Sequence, residues 1–320
     1  MQGFSVNKRA LLLLGAVTTI VPELFTSSTP LVRLVNPGTL LFLLIGYGLP
    51  IIAIRELAVR KGIGTGGVFC FGLAYGILNE GLFARTLVAT HNVPIPQYTH
   101  YGQFYGFNLP WCAHILLWHS LSSVLFPIAI THLAYPDVRG KPWLSPLATS
   151  VFGIFAFGFG VLAFTHAGTA GGPGSHFQLW VMILATALLY GVGLQCKGEF
   201  LPEQTVQPAR PLAFGIAGIV PTVVVIGMAS AKAAVPIYLA VTLLLAVGAA
   251  AILKKMRWDT LPAFAAVGIG WYIQTAFVGV VVIAGNAPLA VITAALDIAI
   301  MRWMWRRVGS ASIVNASAAI

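Results

Sequence analysis

The chain has 320 residues, of which 58% are hydrophobic and only 8% are charged. Soluble domains carry about 25% charged residues, so this composition excludes a water-soluble fold and predicts an integral membrane protein. The net charge of +10 is explained by basic cytoplasmic loops, and we therefore expect membrane lipids rather than nucleic acid as partners.

Ten apolar segments follow one another, most of them near the roughly 17–25 residues that a spanning helix needs. They cover 10–26, 39–54, 67–90, 108–134, 144–165, 177–195, 211–229, 235–252, 261–284 and 286–305. We expect the first to be retained as a helix, since no small-residue cleavage site follows it cleanly. The prediction is an all-α, polytopic transmembrane helical bundle of about ten helices. One transmembrane domain covers 1–307, and 308–320 form a disordered C-terminal tail.

The positions of Lys and Arg predict the orientation of this bundle. With the N-terminus inside, fifteen of the 18 basic residues fall in inner segments. The outer loops hold Arg33 and Lys232, and Arg85 lies within the third segment. This asymmetry predicts that the N- and C-termini are both cytoplasmic, in a cell inner membrane or plasma membrane.

Ionisable residues inside the segments are concentrated in the first half of the chain. The first four segments contain Glu23, Glu80, Arg85, His114, His119 and His132. The remaining six contain one such residue away from their ends, Asp297, whose partner the sequence does not identify. We found no matched halves of the kind that build many transporters, so the first four segments are predicted to hold the functional region.

Glu80 is the central candidate in that region. Gly72, Gly76 and Glu80 recur every four residues, and small residues at this spacing mark a face that packs against another helix. Glu80 lies about ten residues, or about 15 Å, below the outer end of its segment, and His119 falls at the same depth. Since buried carboxylates face a bundle interior or a water-filled cavity, we expect a polar cavity, open to the outside, between the first, third and fourth segments.

The candidate site follows from these depths. The catalytic candidates are Glu80, His114 and His119, and the substrate-binding candidates are Arg85, Glu23, Asn79 and Trp118. Other roles stay open: Arg85 extending to the headgroups, Glu80 as a structural hydrogen-bond acceptor, and one of the two histidines as structural. A haem held by His114 and His166, or a metal ion between His166 and His176, are further alternatives. We assign no metal site, and the cofactor is unknown.

The stretch from Pro22 to Leu144 resembles an uncharacterised group of prokaryotic polytopic membrane proteins. The matching pieces are PELFTSSTP, NPGTLLF, REL at Arg55, YGILNEGL at Tyr75, YGFN at Tyr105, HSLSSVLFPI at His119 and PWL at Pro142. In that group the acid motif carries a double glutamate (YGxxEEGL), and here Asn79 stands at the first position. The resemblance implies a multi-pass fold and brings no activity with it.

The acid motif also bears a weaker similarity to CAAX-type (CPBP) intramembrane proteases. These carry Glu-Glu-x-x-x-Arg on one helix and histidines on later helices, which together activate water. Here Arg85 follows one residue later than in that pattern. The similarity implies an enzyme in which Glu80 is paired with a histidine.

Two functions are therefore compatible with the sequence. One is an enzyme acting on a lipid or membrane-peptide substrate by Glu/His acid–base chemistry, with Arg85 binding an anionic headgroup. The other is a transporter or permease for a small solute or lipid, with Glu80 as the coupling or binding acid.

Overall fold

The computed structural model of the chain describes residues 2–89, 95–166, 175–202, 211–256, 260–282 and 286–317. Its ten long helices are α1 (Gln2–Thr26), α2 (Pro37–Lys61), α3 (Thr65–Phe83), α4 (Leu109–Ala134), α5 (Pro146–His166), α6 (His176–Gln195), α7 (Pro211–Ser230), α8 (Val235–Lys255), α9 (Leu261–Val282) and α10 (Ala287–Ser317). Each predicted segment corresponds to one of these helices. The prediction of an all-α, multi-pass bundle is confirmed.

Most of these helices have the dimensions of membrane spans. Among the described residues, eight are long and apolar enough to cross a bilayer, and shorter apolar stretches, Ile219–Ser230 and Leu261–Phe277, lie in α7 and α9. The single-domain division and the side of the membrane that holds the termini stay predictions. So does the tail at 308–320, into which α10 extends.

A folded connection joins α3 to α4 at the end of the bundle that is predicted to face outward. It contains 3₁₀ turns at Thr86–Val88 and Pro96–Tyr98 and an antiparallel hairpin of β1 (Gln103–Phe104) and β2 (Phe107–Asn108). Asn108 caps α4, because its side chain accepts the Trp111 N–H at 3.1 Å and donates to the Tyr98 carbonyl at 2.7 Å. These bonds fix where α4 enters the bundle.

Helices α3 and α4 approach each other closely. A Cβ atom added to Gly72 would lie 2.5 Å from Ser120 Oγ and 2.7 Å from Ser120 Cα. One added to Gly76 would lie 2.8 Å from Leu116 Cδ2. The Ser120 hydroxyl also donates to the Phe69 carbonyl at 2.8 Å. The small-residue face predicted for the third segment therefore packs against α4.

Three helices contain a π-helical turn, in which backbone hydrogen bonds join residues i and i+5. These turns are Leu44–Gly48 in α2, Ile77–Phe83 in α3 and His119–Leu125 in α4. The α3 turn ends the helix seven residues earlier than the sequence predicts, and Arg85 follows it in the left-handed conformation at φ 58°. Placing Arg85 within a helix was therefore wrong.

We predict that Gly72→Ala destabilises the protein, because a methyl group there overpacks the α3–α4 contact, at a typical cost of about 1–3 kcal/mol. The matched control is Gly66→Ala on the same helix, where a Cβ meets nothing within 4 Å. It should be neutral or stabilising by about 0.5–1 kcal/mol, since alanine favours helix. Thermal unfolding in detergent measures both, and equal behaviour would contradict the packing described.

Candidate functional site

The carboxylate of Glu80 and the imidazole of His119 meet across the α3–α4 contact. His119 Nε2 lies 2.9 Å from Glu80 Oε1. On the far side of the ring, His119 Nδ1 lies 2.9 Å from Ser123 Oγ, one turn along α4. Glu80 and His119 are 8% and 1% exposed, so this pair is removed from both lipid and bulk water.

The second oxygen of Glu80 is held by the connection that follows α3. The Thr86 hydroxyl donates to Glu80 Oε2, and Trp111 Nε1–H donates to the Thr86 oxygen at 2.8 Å. Both carboxylate oxygens therefore have a partner. The resulting chain, Trp111–Thr86–Glu80–His119–Ser123, is called the acid–imidazole network below.

The hydrogen bonds of this network have two possible arrangements, one with Glu80 ionised and one with Glu80 protonated. With Glu80 ionised, His119 Nε2–H donates to the carboxylate, and the Ser123 hydroxyl donates to Nδ1. With Glu80 protonated, its hydroxyl donates to Nε2, and Nδ1–H donates to Ser123 Oγ. The two arrangements differ by one proton: when a proton enters the ring at Nδ1, the Nε2 proton can pass to the carboxylate, and the contact between Nε2 and Glu80 Oε1 is kept in both.

Aromatic rings surround His119. The ring centroids of Trp118, Tyr75 and Tyr47 lie 5.0, 5.6 and 6.1 Å from that of His119. The Asn79 side-chain amide donates to Tyr75 OH at 2.8 Å and holds one of these rings in place.

A second carboxylate, that of Glu23, lies on the other side of the Tyr47 ring from His119. Tyr47 OH donates to Glu23 Oε1 at 2.5 Å, and the Thr29 hydroxyl donates to Glu23 Oε2 at 2.6 Å. Tyr47 therefore stands between Glu23 and the His119 ring. The site thus includes α2, whereas only the first, third and fourth segments were predicted to line it.

Each π-helical turn carries residues of this region. Tyr47 lies in the α2 turn, Asn79 and Glu80 in the α3 turn, and His119 and Ser123 in the α4 turn. A π turn inserts one residue into a helix and turns the side chains around it, and such turns are frequent at functional sites. Their convergence at one level of three neighbouring helices marks this region independently of residue type.

The structure separates some of the predicted site residues from this network. His114 stacks on Trp111 with ring centroids 5.7 Å apart and packs against Tyr98 at 5.3 Å. It therefore belongs to the aromatic cluster under the connection between α3 and α4, and His119 is the histidine at Glu80. Arg85 is 1% exposed, which contradicts its free extension to the headgroups. The His166 side chain lies outside the described residues.

Glu80 and His119 lie among their own hydrogen-bond partners and aromatic rings. The outward-open polar cavity expected around them stays a prediction. A groove beside them, next to the connection between α3 and α4, is lined by apolar side chains, among them Ile77, Leu87 and Leu116.

A contrasting buried cluster lies near the C-terminal end of α2. Glu56 is paired with Arg55 at 2.5 Å and with Arg60 at 3.7 Å, and it accepts the backbone N–H groups of Trp143 and Leu144 at 3.0 and 3.1 Å. The Arg55 guanidinium stacks 3.5 Å above the Trp143 ring. The structural role expected for Glu56 is consistent with these contacts, which fasten α2 to the chain between α4 and α5.

Glu56→Gln should destabilise the protein by about 3–5 kcal/mol, because it leaves the buried Arg55 charge without its counterion. The matched control is Glu199→Gln, which breaks the 2.8 Å pair with Arg139 at a site where the Glu199 side chain is 62% exposed. That change should cost only about 0–1 kcal/mol. Chemical unfolding in detergent distinguishes them, and equal losses would show that Glu56 does not fasten α2.

The comparisons with known proteins agree with this multi-pass architecture. The model of an uncharacterized membrane protein family matches residues 12–317, nearly the whole chain. No curated protein and no solved structure matches it. The chain therefore belongs to this uncharacterized membrane protein family.

Proposed function

We propose that the protein is an intramembrane enzyme that acts on a lipid or membrane-peptide substrate by acid–base chemistry at Glu80 and His119. The observation that carries this proposal is the 2.9 Å contact between Glu80 Oε1 and His119 Nε2. A carboxyl group and an imidazole at this distance, with the ring oriented by a third group, form the arrangement of a general acid–base pair.

The roles of the pair follow from its two proton arrangements. Ionised Glu80 keeps His119 in the tautomer whose Nδ1 accepts a proton from Ser123 or from a molecule that replaces the Ser123 hydroxyl. When water takes that place, it gives a proton to Nδ1 as its oxygen bonds to the acyl carbon of the substrate, and the ring returns the proton to the alcohol or amine whose bond to that carbon then breaks. Arg85 is buried just beyond the end of α3 and carries a permanent charge, so it is proposed to bind the anionic headgroup of a substrate that enters the site rather than the surrounding lipid.

Water exclusion supports this chemistry. Trp118, Tyr75 and Tyr47 cover His119, so the effective dielectric constant around the pair is low, and each charge interaction is stronger than in water. Glu23, held beyond Tyr47, and Asn79, which positions Tyr75, are proposed to shape the binding site around the substrate's polar part.

Glu80→Gln should abolish turnover of lipids or membrane peptides extracted from native membranes, with a loss of about 10²–10⁴-fold, the usual contribution of a general acid or base. The amide retains an acceptor for Thr86, so the fold and the binding of substrate should survive. Mass spectrometry of substrate and product before and after incubation with the purified protein measures the loss.

The control for this experiment is Asp297→Asn, which neutralises a buried acid on α10, outside the network. It should leave turnover unchanged. Full turnover by the Glu80→Gln variant would remove Glu80 from the mechanism.

A transporter is the second candidate, and Asp297 is the observation that favours it. Asp297 is 1% exposed, and neither carboxylate oxygen has a hydrogen-bond partner among the described residues. A buried acid without a counterion is a suitable carrier for a coupling proton. If Asp297→Asn stops proton-coupled uptake into vesicles while no lipid or peptide is turned over, this function replaces the enzyme.

A further inference from the structure

An apolar groove opens at the outer end of the bundle, between α3, α4, α6 and the hairpin of β1 and β2. Its volume is about 340 Å³, within the roughly 300–1,000 Å³ range of small-molecule sites. It is lined by Ile77, Leu87, Phe104, Tyr105, Phe107, Leu109, Cys112, Leu116, Phe177, Val181, Met182 and Ala185. We call it the outer groove.

The outer groove reaches the backbone that carries Glu80. Met182 forms part of its lining, and a Cβ atom added to Gly81 would lie 2.5 Å from Met182 Sδ. Gly81 is the residue directly after Glu80. Leu87 lines the groove directly after Thr86, which donates to Glu80. A molecule in the outer groove is therefore separated from the acid–imidazole network by one layer of side chains and the α3 backbone.

The surface of the groove selects against a peptide. The lining presents no polar surface, and an extended peptide lying there would bury backbone N–H and C=O groups without partners, at a cost of several kcal/mol each in a membrane. A hydrocarbon chain carries no such groups. Van der Waals contact with leucine, phenylalanine and methionine side chains is all that it requires.

The position of the groove also matches a lipid. Three of its walls, α3, α4 and α6, are long and apolar enough to be membrane spans. Its rim carries exposed aromatic side chains, Phe104, Tyr105 and Phe177, with the Phe104 and Tyr105 ring centroids 4.7 Å apart. Aromatic rings of this kind collect at the level of lipid headgroups, so a lipid seated there places its chain in the groove and its headgroup at the rim.

We propose that the outer groove binds an acyl chain of a membrane lipid, so that the substrate is a lipid rather than a membrane peptide. This inference rests on the proposed function of Glu80 and His119 for its link to chemistry, but the binding itself does not depend on that function. Met182 lies between the bound chain and the backbone next to Glu80. Its unbranched, flexible side chain is suited to change rotamer when a chain enters.

The test uses a phosphatidylcholine analogue with a photoreactive diazirine on its acyl chain, reconstituted with the full-length protein in vesicles. After illumination, peptide mass spectrometry should place the adducts on groove residues, Met182 and Ala185 among them. Ala185→Phe fills the groove and should reduce this labelling about tenfold, the effect of roughly 1.4 kcal/mol in binding. Ala187→Phe makes the same change two residues away on the exposed face of α6 and should leave it unchanged.

Two further variants and the distribution of the labelling distinguish the possible outcomes. Val181→Phe alters the groove edge at a side chain that is 36% exposed, and it replaces Ala185→Phe if that variant does not fold. Labelling spread evenly over the lipid-facing helices, or unaffected by either groove variant, would overturn the proposal and indicate surrounding bulk lipid only. Glu80→Gln should be labelled normally. If the groove is labelled and Glu80→Gln is fully active, the proposed function is contradicted but lipid binding in the groove is not. If the groove is not labelled and Glu80→Gln is inactive, lipid binding in the groove is contradicted but the proposed function is not.

Discussion

The arrangement of the first four helices depends on the contact between Glu80 and His119. Hydrocarbon cannot solvate a carboxylate, so an acid that is ionised in a span needs a partner from a neighbouring helix. The partner reaches it because Gly72 and Gly76 carry no side chains and let the α3 backbone approach Ser120 and Leu116. The pairing therefore requires the close packing, and the packing in turn excludes the water that would weaken the pairing.

Two buried glutamates in this half of the protein illustrate how surroundings decide a role. Glu56 is held by the fixed positive charges of Arg55 and Arg60 and by two backbone N–H groups. All of these are donors that cannot accept a proton from it at neutral pH. Glu80 is held by an imidazole and a hydroxyl, both of which donate and accept. The surroundings of Glu56 stabilise its ionised form and suit a structural contact. The surroundings of Glu80 allow a proton to move and suit acid–base chemistry.

The sequence predicted the helices well, because spanning length, apolar composition and the distribution of basic residues are local properties. The four-residue spacing of Gly72, Gly76 and Glu80 also identified the face of α3 that meets α4, and counting residues from the outer end placed His119 at the depth of Glu80. The π turns were not predictable, since they depend on how three helices accommodate one another. For the same reason the early end of α3, the position of Arg85 and the participation of Tyr47 were missed. Four of the seven sequence pieces that carried the resemblance contact each other in two pairs: REL meets PWL through Glu56 and Trp143, and YGILNEGL meets HSLSSVLFPI through Glu80 and His119.

The most direct test of this account is a solid-state NMR measurement of the dipolar coupling between Glu80 Cδ and His119 Nε2 in lipid bilayers. Protein labelled with ¹³C-glutamate and ¹⁵N-histidine is suited to it, and a His119→Asn sample identifies the signal. We predict a detectable through-space coupling, since an N···O separation of 2.9 Å places Cδ and Nε2 within the range of the measurement, and we expect it to disappear in the variant. If the wild-type protein shows no such coupling, α3 and α4 do not join an acid to an imidazole, and the proposed site is wrong.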